Sequence, residues 1–455
     1  MRNGSTTKPE VMRRELRSML QLALPVIAAE LGWITMGIVD TIIVGPLGPA
    51  AIGAVGSGST MFLAVMVLGM GTLLALDTFV AQSYGAGRLD ECHRWLFAGL
   101  QLAAAMSVVL VIAGALGLAL LPYAGMHPQV TALLGPYLSA LLWSAPPLLV
   151  FTVFRRYLQA MNVVKPVTVA LVSANVINAA ANWVLVYGHW GMPALGVRGS
   201  AFATVLARIY MALFLLAVIV LRERRQPSGL STDEFALDPA RMWELLRVGV
   251  PAAMQVTLEV GVFATASGLA ARITPLSVAA NQIVLNIAGF FFMLPYGLSS
   301  AAAVRVGHAV GRQDPLGVRV SGTAALGLAL LVTIVASVMF VAAPLPFLRI
   351  FTEDASVLQA GSTVLLIYAI CQPFDGLQTV ATGALRGLGE TRLPMLVNLG
   401  GHWIVGLPLA YVLCFHRGWG VEGLWTGLTV GLMLIGSILF LVWRKRSHRF
   451  EGTSR

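Results

Sequence analysis

The chain has 455 residues, 57% of them hydrophobic and only 11% charged, with a formal net charge of +10. A soluble domain carries about 25% charged residues, so this composition excludes an ordinary soluble protein and points to an integral membrane protein. Three well-separated cysteines without a CxxC pair predict neither a disulfide framework nor a metal site, and the polar, basic start lacks the apolar core of a cleaved signal peptide.

A membrane span needs about 20 mostly apolar residues. Such runs predict twelve helices, at 18–44, 52–78, 95–121, 131–154, 167–187, 195–221, 243–271, 277–304, 320–341, 357–382, 393–415 and 421–443. Pro146-Pro147, Pro295 and Pro408 predict kinks within them. Met61-Phe62 and Phe290-Phe291-Phe292-Met293 read first as packing residues, and only second as adaptable contacts for varied cargo.

The basic residues alternate from one side to the other. Arg198, Arg272, Arg349 and Arg417 fall on one side, Arg208 alone lies within a span, and the rest of the 30 Lys and Arg occupy the opposite side. The positive-inside rule makes that side, with both termini, cytoplasmic, and the multi-pass chain is expected in the cell inner (plasma) membrane. The net charge then meets anionic lipid head groups, and no nucleic-acid partner is implied.

The chain also repeats. Pro25 and Pro251, Pro49 and Pro275, and Gly85 and Gly311 are each 226 residues apart. Gly196-Val197-Arg198-Gly199 is echoed by Gly420-Val421-Glu422-Gly423. Each half holds an even number of spans, so the halves share one orientation, with a substrate site expected between them near mid-membrane. The expected organisation is an N-terminal cytoplasmic segment (1–17), an N-lobe (18–222), a polar linker (223–242), a C-lobe (243–443) and a cytoplasmic tail (444–455).

Three acidic side chains, Asp40, Glu259 and Asp375, sit deep inside spans. A carboxylate at mid-bilayer costs roughly 2.5–3.5 kcal/mol on insertion scales and usually marks an ion or substrate pathway. Helical rise puts Glu259 roughly 18 Å and Asp375 roughly 16 Å above the cytoplasmic side, so the two carboxylates share a level. Such a pair can share a proton or a cation, or it can be a structural hydrogen-bonded pair. Asp40, Asn178, Asn182 and Thr204 all fall in the outer half, and Asn178 and Asn182 share a helix face. An all-oxygen cluster with one carboxylate suits a hard monovalent cation such as Na⁺, although the same polar groups also serve as interhelical glue. Glu30 and Arg208 lie at similar depth and are expected to pair; the alternative is that Glu30 faces the cavity and attracts cationic cargo. Asp77, near the cytoplasmic end of span two, reads as a capping or gating residue. Gln282 and Asn286, four apart, are candidates for lining the C-lobe cavity.

Several segments resemble one known family. They are Val39-Asp40-Thr41-Ile42-Ile43-Val44-Gly45, Ala81-Gln82-Ser83-Tyr84-Gly85-Ala86-Gly87, Asn178 and Asn182 before Tyr187-Gly188, Gly199-Ser200-Ala201-Phe202-Ala203-Thr204 and Leu385-Arg386-Gly387. Their order and spacing, from about Pro25 to Trp443, resemble the MATE (multidrug and toxic compound extrusion) transporters, and Glu259 with Asp375 resembles the NorM-like subfamily. The resemblance implies an all-α polytopic fold, a V of two parallel-repeat six-helix lobes. It implies an antiporter of organic, often cationic, compounds against Na⁺ or H⁺, with no other cofactor. It gives the coupling role to Asp40, Asn178, Asn182 and Thr204 in one lobe and to Glu259 and Asp375 in the other. Cys371 stands one turn before Asp375, where some relatives carry tyrosine. The expected partners are small organic cations, drugs and membrane lipids, and the chain is expected to be a monomer.

A flippase for lipid-linked oligosaccharides, from the same superfamily, is the competing function; its anionic cargo would call for several buried Arg or Lys, and the spans offer only Arg208. The seven histidines form no HxxxH or HExxH spacing and no GxSxG occurs, which argues against an enzyme. Single, asymmetric charges argue against a channel.

Overall fold

The computed structural model describes residues 8–123, 127–229 and 236–453, with side chains described between 12 and 448. Residues 1–7 of the N-terminal segment, 230–235 of the linker and the last two of the tail lie outside this range, among them Arg2 and Arg455.

The described chain is built of helices α1 (Lys8–Val44), α2 (Pro49–Thr72), α3 (Ala75–Gly85), α4 (Leu89–Leu120), α5 (Pro128–Leu142), α6 (Ala145–Ala160), α7 (Lys165–Tyr187), α8 (Val197–Arg225) and α9 (Pro239–Ala270). They are followed by α10 (Pro275–Gly311), α11 (Pro315–Ala342), α12 (Pro344–Arg349), α13 (Ala355–Gly387), α14 (Arg392–Asn398), α15 (Leu407–Tyr411) and α16 (Gly420–Thr453). Among the described residues, eleven helices or joined segments are long and apolar enough to cross a membrane; α5 and α6, bent by 47°, make the twelfth as one broken span. Helices start where the sequence supplies a proline whose missing N–H is not needed, as at Pro49, Pro239, Pro275 and Pro315. Asp354 caps α13 by accepting from the amides of Ser356 and Val357 at 2.9 and 3.1 Å. The Ser356 hydroxyl and these amides hold its carboxyl below the usual carboxylate range.

The expected kinks take different forms. The α5–α6 break lies at Trp143–Ser144, just before Pro146-Pro147. Pro295 is carried inside an uninterrupted α10. Around Pro408 the span widens into two π-helical stretches, Leu399–Gly406 and Val412–His416, which absorb the missing hydrogen bond.

Contacts divide the chain into two compact units, residues 28–253 and residues 1–27 with 254–455. This division differs from lobes drawn at 18–222 and 243–443: the first part of α1 packs with the second repeat, and the first part of α9 packs with the first. The two crossing points, 28 and 254, are themselves 226 residues apart, so the exchange follows the repeat.

Without water there is no hydrophobic drive between helices, and close packing takes its place. Gly383 and Gly387 on α13 let α10 approach until a Cβ on either would come within 2.2 Å and 2.6 Å of the carbonyl oxygens of Ser299 and Ala303. In the second unit Phe291, Phe340 and Phe347 pack edge-to-face, with Phe291 and Phe340 at 4.8 Å. Tyr368 and Trp425 extend the same cluster. Phe291 is thus a packing residue, whereas Phe290 is exposed. On α4, Val108, Ile112 and Leu116 form an exposed apolar stripe at helical spacing, suited to lipid.

The crossing segments are anchored. Glu15 of α1 takes two hydrogen bonds from Arg305 of α10, at 2.8 and 2.5 Å, and one from Ser321 of α11 at 2.8 Å. The positions 226 away in the other unit are Arg241, Phe79 and Trp95. Here the Arg241 guanidinium lies 4.9 Å from the Trp95 ring, and Trp95 stacks on Phe79 at 4.4 Å. One register therefore carries an ion pair in one unit and a cation–π contact in the other. Glu15→Ala leaves a largely buried Arg305 without its carboxylate. It should cost about 1–3 kcal/mol and lower the melting temperature in detergent, read by intrinsic fluorescence. An unchanged melting temperature would contradict the anchoring role.

Candidate functional site

The first site lies where α1, α7 and α8 meet in the unit of residues 28–253. Polar side chains tie α7 to α1 along its length. Asn175 Nδ2 donates to the Gly32 carbonyl at 3.0 Å, and Tyr187 Oη donates to the Ile43 carbonyl at 2.5 Å. Between these ties Asn182 Nδ2 donates to Asp40 Oδ1 at 2.7 Å. From α8, Thr204 Oγ1 donates to Asp40 Oδ2 at 3.0 Å. Asn178, one turn before Asn182, is also within reach of the Asp40 carboxylate. The four residues expected from the sequence are thus brought together, and all are buried.

The donors do not exhaust the cluster. Asn178 Oδ1 and Nδ2, Asn182 Oδ1 and Ser200 Oγ are buried without a hydrogen-bond partner. Buried polar atoms are nearly always satisfied, and a run of orphaned oxygens beside a carboxylate is what a small cation would complete. Ser200, one turn before Thr204 on α8, was not among the expected residues; the i, i+4 spacing is the signal that finds it. Among the described residues no group of three or more His, Cys, Asp and Glu is placed to hold a metal ion. A cation here would rest on amide and hydroxyl oxygens around one carboxylate.

The second site lies between α9 and α13. Gln378 Nε2 donates to Glu259 Oε1 at 3.0 Å. Asp375 is one turn before Gln378 on α13, buried, and in electrostatic range of Glu259. The structure therefore places the two carboxyls together, with Gln378 as a neighbour the sequence reading lacked. Orphaned polar atoms recur here, at Gln378 Oε1, Thr379 Oγ1 and Thr382 Oγ1. Cys371 is buried one turn before Asp375. His402, fully buried in the first π-helical stretch with both ring nitrogens unpartnered, lies against Phe263, one turn beyond Glu259.

The expected partner of Glu30 and the expected place of Arg155 and Arg156 are corrected. Glu30 does not pair with Arg208 and does not face a cavity as a free carboxylate. It is buried and takes its ion pair from Arg155. The expected end of span four at 154 leaves Arg155 and Arg156 in a cytoplasmic connection, but α6 runs on to Ala160 and buries both. Arg156 pairs with Asp77 at 3.3 Å, and Asp77 lies in the first turn of α3, where a carboxylate also complements the helix dipole. Gln282 and Asn286 are both exposed on one face of α10, outside the packed core, while their neighbour Asn281 is buried and accepts from Trp425 at 3.0 Å.

Comparison with known proteins agrees with this architecture. The family model MatE matches residues 25–184 and again 251–412, two matches that begin 226 residues apart. A probable multidrug resistance protein NorM of Bradyrhizobium diazoefficiens is 34% identical, covering 95% of this chain and 94% of its own length. One of Rhodopseudomonas palustris is 35% identical, covering 96% and 93%. Among solved structures, an outward-facing multidrug resistance MATE transporter of the MOP superfamily superposes with a TM-score of 0.87 at 19% identity, covering 98% of this chain and all of that one. A eukaryotic MATE transporter gives 0.84 at 22% identity, with the same coverage. The chain therefore belongs to the MatE family and is a multi-pass membrane transporter rather than an enzyme.

Proposed function

We propose that the chain is a multidrug efflux antiporter, exporting small organic and often cationic compounds from the cell in exchange for Na⁺ or H⁺. The observation that carries this reading is the Asp40 cluster. A buried carboxylate with two donors and several orphaned oxygens is suited to an ion that comes and goes, and less suited to a permanent structural bond. Glu259 and Asp375 form the second coupling position, where a buried carboxyl and a half-buried one side by side favour uptake of one positive charge between them.

In this mechanism a cation entering from outside binds Asp40, and Glu259 with Asp375, and lowers the affinity for cationic cargo, which leaves to the outside. The loaded protein then changes access, the cation departs into the cytoplasm, and cargo rebinds. A bound ion shifts such an equilibrium only by its difference in affinity between the two states, and a carboxylate moved between wet and dry surroundings supplies that difference. Gln282 and Asn286 are candidate cargo contacts. The excess of Lys and Arg on one side supports cytoplasmic termini and insertion in the plasma membrane.

Two measurements check this. Efflux of a cationic dye from proteoliposomes, driven by an imposed Na⁺ gradient or an imposed pH gradient, identifies the ion. Asp40→Asn should cut the driven rate at least about tenfold, as expected for loss of a charged ligand. Wild-type rates in that variant would remove Asp40 from coupling. Glu259→Gln and Asp375→Asn should each lower the driven rate while the passive leak stays unchanged, and wild-type rates in both would rule out the second position.

A further inference from the structure

Arg208 is nine-tenths buried, yet no carboxylate among the described residues pairs with it. Its Nη1 donates to the Ser144 hydroxyl, its guanidinium lies 4.7 Å from the Phe62 ring and 5.7 Å from the Trp33 ring, and its Nε has no partner. Two aromatic faces and one hydroxyl hold a cation without neutralising it.

The charges of this unit show what Arg208 balances. Its buried charged residues are Glu30, Asp40, Asp77, Arg155, Arg156 and Arg208. Arg155 is taken by Glu30 and Arg156 by Asp77. Asp40 and Arg208 remain, of opposite sign and in electrostatic range, but not in contact. They are held apart by design of α8. Ser200, Thr204 and Arg208 succeed one another at one-turn spacing on one face, so Thr204 touches the carboxylate and the guanidinium stands a turn further on. The other ionisable group in range, Tyr137 of α5, shares a 2.9 Å hydrogen bond with Ser59 of α2.

We propose that Arg208 is a built-in counter-cation that keeps the empty Asp40 cluster neutral and weakens its hold on the coupling cation, so that the cation can leave. This rests on the reading that the Asp40 cluster binds that cation. Empty, carboxylate and guanidinium sum to zero, a state an apolar interior tolerates. Loaded, the cluster carries one net positive charge, and repulsion from the guanidinium favours release. An isolated carboxylate in the same place would bind its cation too tightly to turn over.

The test is the half-saturating concentration of the driving cation, Na⁺ or H⁺, for dye efflux from proteoliposomes of the full chain. Arg208→Gln should lower that concentration at least about tenfold and slow turnover, the size expected for one unscreened charge at several ångströms. Arg208→Met, which fills the slot between Trp33 and Phe62 without charge, should do the same and serves if the Gln variant does not fold. Arg208→Lys, which keeps the charge, should stay near the wild-type value. Neutral variants with the wild-type half-saturation, or a Lys variant shifted as far as the neutral ones, would overturn the proposal. Asp40→Asn run beside them separates the two readings. Cation dependence unchanged in Asp40→Asn rejects coupling at this cluster; dependence lost there but unshifted in the Arg208 variants rejects the counter-cation alone.

Discussion

A charge inside a bilayer must find its partner within the protein, and this requirement organises the molecule. In the unit of residues 28–253 the two arginines of α6 neutralise Glu30 and Asp77. The α5–α6 bend and the continuation of α6 to Ala160 are what bring them there. What is left unneutralised by direct contact is Asp40, ringed by amides and hydroxyls, and Arg208, ringed by aromatic carbon. In the other unit Glu259 and Asp375 share a neighbourhood with one glutamine and two orphaned hydroxyls. The functional chemistry is the part of the charge inventory that static pairing does not consume.

The repeat shows how far geometry and chemistry can separate. The starts of α2 and α10 and of α4 and α11, the prolines inside α1 and α9, and the crossing points between units keep the 226-residue register. The side chains at matched places do not. Glu15 with Arg305 and Ser321 corresponds to Arg241 with Phe79 and Trp95. Asp40 corresponds to Ala266, Glu259 to Trp33, and Asp375 to Leu149. The candidate coupling groups of the two units therefore do not occupy matched positions of the repeat.

The spans, their order and the Asp40 cluster were legible because each rests on a local rule. Apolar length marks a span, and one-turn spacing puts Asn178 and Asn182 on one face. The partner of Glu30 was not legible. Apolar length ends span four before Arg155 and so leaves Arg208 as the one basic residue at the depth of Glu30, whereas α6 continues to Ala160 and buries Arg155. Gln378 was missed because an amide in a span has no signature apart from its neighbour three residues away. The exchange of helix segments between units was invisible for another reason: α1 and α9 run straight through the crossing points, and apolar periodicity says nothing about which partner a helix chooses. The π-helical stretches around Pro408 lie below the resolution of any pattern of hydrophobicity.

The central claim is that cation occupancy of the carboxylates within the spans and cargo export are one linked equilibrium, and linkage runs in both directions. The most direct test reverses the usual experiment. A gradient of cationic dye is imposed across proteoliposomes without any Na⁺ or pH gradient, and movement of Na⁺ and H⁺ is followed. The account predicts cation flow opposite to the dye, present in the wild-type protein and absent when Asp40→Asn, Glu259→Gln and Asp375→Asn are combined. Undiminished counterflow in the triple variant would contradict it.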